Sequence, residues 1–288
     1  MLAFLQNFDT ERVVLLHVST GPISAATQSR IEAIRDQVVE DLRAELADLD
    51  GADASTEHAA DSADSAAGQA GSRNVVAGMT IDVRVRSGSP AFEISLTARE
   101  EGADFIYFPW KRKNWIQRTL VGSTTKDVIR LSNLPIFVFK QRGTRPADEP
   151  FRILYPTNFK DTDRYVVAYL QYKGLAADEL VLLNVHDRAP DPTAESRQES
   201  WCRENLSRLT GEVEENFREV EPVAMTGSPR RVIPRVARRN GTDLVILGKS
   251  DQESALSAMM GSVAEEVANG APCSVFIVSR AYLPQGAS

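Results

Sequence analysis

The chain repeats itself. Residues 81–140 align with residues 220–279 at a constant offset of 139, without a gap. Gly88-Ser89-Pro90 recurs as Gly227-Ser228-Pro229, Gly102-Ala103-Asp104 as Gly241-Thr242-Asp243, and Gly122-Ser123 as Gly261-Ser262. Upstream, the apolar run from Val13 to Val18 recurs from Leu180 to Val185 at an offset of 167. The offsets differ by 28 residues (167 less 139), which is an insertion in the first copy. A period this long signals a duplicated domain, not a solenoid of short units. The length of 288 residues suits two domains of roughly 150 each.

The expected division is a first domain over 1–142, a second over 150–281 and a tail over 282–288. The insertion is placed at about 48–74. Its Ala, Gly, Ser and Asp residues offer too little apolar surface to offset chain entropy, so it reads as disordered. At offset 167 nothing in the first copy matches residues 151–167, so that copy is expected to lack its first strand and most of its first helix. In an open parallel sheet that strand would be central, and its neighbours would be left with open ladder groups. Either another segment fills the place or the chain as given begins too late.

In the second copy, short apolar strands at 152–155, 179–185, 220–225, 243–247 and 274–278 alternate with helical spacing at 164–172, 195–217, 231–239 and 262–269. Strands that are apolar throughout, separated by helices, imply parallel sheets covered on both faces. The fold class is therefore α/β, with two tandem doubly wound parallel-sheet domains.

Composition removes several alternatives. A formal charge of −7 argues against a general nucleic-acid binder, which needs a basic face. No uncharged apolar run is long enough to span a bilayer, so no membrane role is expected. Two cysteines and three histidines cannot make a disulfide framework or a histidine-rich metal centre.

The second copy carries a more specific pattern. Gly248 follows an apolar strand. Gly261-Ser262 then precede a helix, an Ala271-Pro272-Cys273 turn and a last strand. With Tyr155-Pro156-Thr157 and Thr226-Gly227-Ser228-Pro229, this set resembles the universal stress protein family in tandem form. The resemblance implies an adenine-nucleotide alpha-hydrolase-like fold and ATP or a similar nucleotide as ligand. It puts the base near Pro156, Thr157 and Val185. The implied site consists of Thr157, Asn158, Val185, Gly227, Gly248, Gly261 and Ser262. A glycine after a strand lets backbone N–H groups approach an anion, and a helix N-terminus supplies further donors. Ser262 is placed to cap that helix. Two positions depart from the family pattern: Asp251 replaces its second loop glycine and Asn158 replaces its acidic residue. The first copy departs further, with Pro109 and Arg112 at the glycine positions, and reads as a poor ligand site.

The expectation is a cytoplasmic, non-enzymatic stress-response regulatory module. Family domains pair through their last strands, so residues 136–139 and 275–278 are expected to pair within the chain as a pseudo-dimer, with a homodimer of whole chains left open. Two other readings stand beside it. One is a nucleotide-independent scaffold with an unidentified protein partner. The other is a nucleotide-hydrolysing enzyme, for which only Asp251 is placed as a base. Gly248-Lys249-Ser250 is not a P-loop, because Asp243 stands where that motif needs its first glycine. Cys202 reads as the accessible thiol. His17 reads as a hydrogen-bonded structural histidine and His186 as a solvent-facing loop residue. Glu265-Glu266 reads as a solvated helix surface.

Overall fold

The computed structural model describes residues 10–52, 75–76, 79–110, 122–140, 149–160, 162–171, 177–249 and 263–279. The chain divides into two compact units, residues 1–94 and 95–288.

The first unit holds strand β1 (Arg12–Ser19), helix α1 (Ala25–Ala52), strands β2 (Val75–Val76) and β3 (Met79–Ser87), and the start of helix α2 (Pro90–Glu100). Its sheet has the order β1-β3-β2, with β1 parallel and β2 antiparallel to β3. Helix α1 runs on past residue 48, where the insertion was expected to begin. The strong helix formers Ala44, Glu45, Leu46 and Ala47 lead into that stretch. Residues 53–74 lie outside the described residues. The core of this unit is thin: Ile31, Val39, Ile81 and Ala91 are its buried apolar residues among those described.

The second unit contains the rest of α2, then β4 (Ile106–Trp110), α3 (Ser123–Leu131), β5 (Ile136–Lys140), β6 (Arg152–Thr157), α4 (Asp163–Leu170), β7 (Glu179–His186), α5 (Pro192–Val213), β8 (Glu219–Thr226), α6 (Pro229–Arg239), β9 (Leu244–Lys249), α7 (Val263–Gly270) and β10 (Ser274–Ser279). Every element expected in the second copy is present, with its ends shifted by a few residues. Helix α5 starts early because Asp191 caps it, accepting from the N–H groups of Thr193 and Ala194, and Pro192 fits the first turn.

One seven-stranded sheet, β4-β5-β10-β9-β6-β7-β8, organises this unit. Its pairings are parallel except at β5–β10, where Val138, Phe137 and Ile136 face Val275, Phe276 and Ile277 antiparallel. The last strands of the two copies therefore meet within one sheet. Phe137 and Phe276 lie 6.0 Å apart there, and Tyr169 of α4 meets Phe276 edge-on at 5.1 Å. Such aromatic pairs add to the burial term that holds the strands together.

Side chains from both copies close the seam. Lys140 Nζ donates to the carbonyls of Asn269 and Ala271, at the end of α7. Lys249 Nζ donates to the carbonyls of Arg130 and Ser132, at the end of α3. These two pairs of carbonyls are equivalent at the 139-residue offset, so each helix C-terminus receives a cation from the opposite copy. Burial lowers the Lys140 ammonium to a pKa of about 8.

The duplication is also visible in the backbone. Gly88 and Gly227 have φ of 153° and 143°, and Gly102 and Gly241 have φ of 64° and 63°. Positive φ at both matched pairs explains why glycine stands at each. Strand order shows where the copies diverge. In the second copy β6 sits between β9 and β7; in the first copy the counterparts β4 and β1 each end a sheet among the described residues.

Candidate functional site

Strand order reverses at β6: its chain successor β7 lies on one side and the later strand β9 on the other. In an open α/β sheet, loops leave such a point in opposite directions and open a crevice beyond the strand ends. A crevice of about 610 Å³, its solvent mouth included, lies there. It is lined by Tyr155, Pro156, Thr157 and Asn158 after β6, Thr162 and Asp163 of α4, and Val185 of β7. Pro229 and Ile233 of α6, Leu247 and Gly248 of β9, and Val263 and Ala264 of α7 complete it.

A buried polar network sets the floor. Tyr155 and Thr157 are two residues apart on β6 and so share one face. Both bond the carboxylate of Asp163, which is only 6% exposed. The Tyr155 hydroxyl donates to Oδ1 at 2.5 Å, and the Thr157 hydroxyl lies 2.8 Å from Oδ2 and 2.9 Å from Oδ1. The Thr157 hydroxyl also accepts from the Phe159 N–H, and its carbonyl accepts from Asn184 Nδ2. Asn184 Oδ1 in turn accepts from the Cys202 thiol. Burial raises the Asp163 carboxyl above its ordinary value, against the lowering effect of the two hydroxyl donors. The Tyr155 phenol is raised well above its usual range by burial and by the neighbouring Asp163 charge.

Packing explains Gly248 independently of any ligand. A Cβ there would meet Thr162 Cβ and Oγ1 at 2.8 Å, so glycine lets the start of α4 lie against β9. Next along the chain from Asn158, Phe159 adopts φ of 57°, uncommon for an aromatic residue, and meets Trp201 edge-on at 5.0 Å.

Of the expected site residues, the crevice brings together Thr157, Asn158, Val185 and Gly248. Gly227 directly follows β8, donates its N–H to the His186 carbonyl and is not among the lining residues. Gly261 and Ser262, like Asp251 and Arg112, lie outside the described residues. Asp163 was missed by sequence reading. The available signal was an acidic residue in the first turn of α4, where the helix dipole favours a negative charge.

Three smaller expectations are corrected. Cys202 is buried, because it belongs to the inward stripe Cys202, Leu206, Leu209 and Val213 of α5. Glu265 is buried too: consecutive helical positions face about 100° apart, which leaves Glu266 in solvent and turns Glu265 onto Arg130. The Arg130 guanidinium donates to its two oxygens at 2.5 and 2.9 Å. His17 is exposed on β1. The lysine of Gly248-Lys249-Ser250 is committed to the end of α3, which agrees with rejecting a P-loop there. Among the described residues no helix is long and apolar enough to cross a membrane, and no three His, Cys, Asp or Glu side chains form a metal-holding group.

The sequence pattern of the universal stress protein family matches this chain twice, over residues 2–140 and 151–279. A universal stress protein of Methanocaldococcus jannaschii is 22% identical over 153 residues, covering 45% of this chain and 94% of its own. Among solved structures, a universal stress protein from Archaeoglobus fulgidus superposes with a TM-score of 0.61 at 19% identity, covering 97% of this chain and 90% of its own. A functionally unknown protein from Pseudomonas aeruginosa gives 0.59 at 14% identity, covering 96% and 94%. At these identities the structural likeness speaks for the fold.

Proposed function

The chain belongs to the universal stress protein family in both of its copies, and from that premise we propose that it is a tandem regulatory module whose second copy binds an adenine nucleotide such as ATP. The observation that carries this reading is the crevice at the order-reversing strand β6, where Thr157, Asn158, Val185 and Gly248 converge. The base enters beside Pro156, Thr157 and Val185. The phosphates run toward the helix that follows Gly261-Ser262, whose N–H groups would receive them. Buried polar groups that favour a hydrogen-bonding ligand and an apolar wall from Ile233 and Leu247 fit a purine nucleotide.

The module acts by binding and not by catalysis, in the cytoplasm, with residues 1–142 and 150–281 as its two domains. The β5–β10 seam makes the copies an intrachain pseudo-dimer, and pairing of whole chains remains available to it. The first copy does not contribute a second site: Pro109 occupies β4 where Gly248 occupies β9, removing a backbone donor and the freedom of φ.

A thermal-shift titration with millimolar ATP tests the reading. Stabilisation that grows with ligand concentration is expected, because a ligand selective for the folded state raises stability by mass action. No shift, alongside a partner protein that co-purifies without nucleotide, establishes the scaffold reading instead. That reading is favoured by Asp251, Asn158, Pro109 and Arg112, which depart from the family pattern.

A further inference from the structure

Asn158 leaves this crevice without the acidic side chain expected after Pro156-Thr157, yet a carboxylate is present in it. Asp163 lies five residues on, in the first turn of α4, and lines the same crevice as Asn158 and Val185. We propose that Asp163 is the specificity-determining residue for the base, accepting a hydrogen bond from the exocyclic amine of adenine; this rests on the nucleotide reading above.

The hydrogen-bond inventory supports this choice. An ionised carboxylate only accepts and has roughly four lone-pair sites. Tyr155 and Thr157 each have a single hydroxyl proton to give, so together they fill two of those sites. Asp163 is 6% exposed, so bulk water reaches it poorly. A buried carboxylate with spare acceptor capacity favours a ligand that brings a donor and disfavours one that brings a carbonyl oxygen. Adenine carries an amine at its 6-position, whereas hypoxanthine carries a carbonyl there. The Tyr155 and Thr157 hydroxyls both hold the carboxylate, so it cannot easily swing away from a mismatched base.

Competition binding with ATP, ITP and purine riboside triphosphate tests the assignment on the full chain. Unmodified protein is expected to bind ATP at least about ten-fold tighter than either analogue, the scale of one unmatched buried hydrogen bond. In Asp163→Asn the side-chain amide can donate, so the ATP:ITP preference should fall to parity or reverse. The variant's melting curve shows whether it is folded, and the comparison of three ligands on unmodified protein needs no variant. Binding of all three within about two-fold overturns the assignment and leaves the nucleotide reading standing. So does an Asp163→Asn protein that is folded and keeps the wild-type preference. Failure of all three to bind overturns the nucleotide reading, and this assignment with it.

Discussion

Strands β1 and β7 are the same element in two settings. Leu15 and Leu182 are equivalent at the 167-residue offset, and both lie in largely apolar strands of eight residues. In β7, Leu180 to Asn184 are buried between β6 and β8. In β1 no residue is fully buried, and among the described residues β3 is its partner strand. An apolar pattern states what a strand can tolerate, while its neighbours decide how much water it loses. The crevice follows the same rule: it forms where β6 is present between β7 and β9, and the described part of the first copy has no such strand.

The sharpest way to break this comparison is the matched pair of truncations. Leu182→Ala should cost about 3 kcal/mol, as expected for a fully buried leucine. Leu15→Ala should cost about 1 kcal/mol, because its half-exposed side chain loses less burial. Guanidinium denaturation of the two variants measures the difference; equal costs would show that β1 is buried as β7 is.

The seam between copies gives the next effect. Lys140 binds fewer protons in the folded state than in the unfolded state between its lowered pKa of about 8 and its ordinary 10.5. Stability contributed by this residue therefore rises with pH across that window, by up to about 3 kcal/mol. Wild type should gain on Lys140→Met by that order between pH 7.5 and 10.5, read as a difference so that other titrations cancel. Ser279 occupies the equivalent place in the second copy and cannot titrate there.

Removing the guanidinium from the buried Glu265 comes third. Arg130→Ala should cost about 2 kcal/mol, less than for a fully buried pair because Arg130 is 45% exposed. Adding Glu265→Gln should recover part of the loss in a double-mutant cycle. The smallest effect distinguishes the two loop starts. Gly248→Ala should cost about 1–2 kcal/mol through the contact with Thr162, whereas Pro109→Gly, at an exposed position, should stay within about 1 kcal/mol. Melting curves of both variants decide this.

Most of the second copy was legible in sequence because its strands are continuous apolar runs bounded by polar and glycine turns, and because each element had a counterpart against which to check it. The antiparallel β5–β10 contact was expected from the family resemblance, in which last strands pair, and it covers sheet edges that would otherwise stay open. What escaped was orientation. Cys202 and Glu265 sit in helices whose inward stripes also contain polar residues, so polarity alone placed them outside. In the sequence Asp163 looked like any acidic residue of a first helical turn, because its contacts depend on β6 bringing Tyr155 and Thr157 to the same face. Only three-dimensional packing joins those three side chains.

The central claim is that duplication left one working nucleotide crevice, in the second copy. Isothermal titration of the full chain with ATP tests it most directly. One site per chain is expected, lost in Gly248→Val, where the larger side chain would collide with Thr162 and fill the crevice. Two sites per chain, or one that survives Gly248→Val in a folded protein, would contradict it.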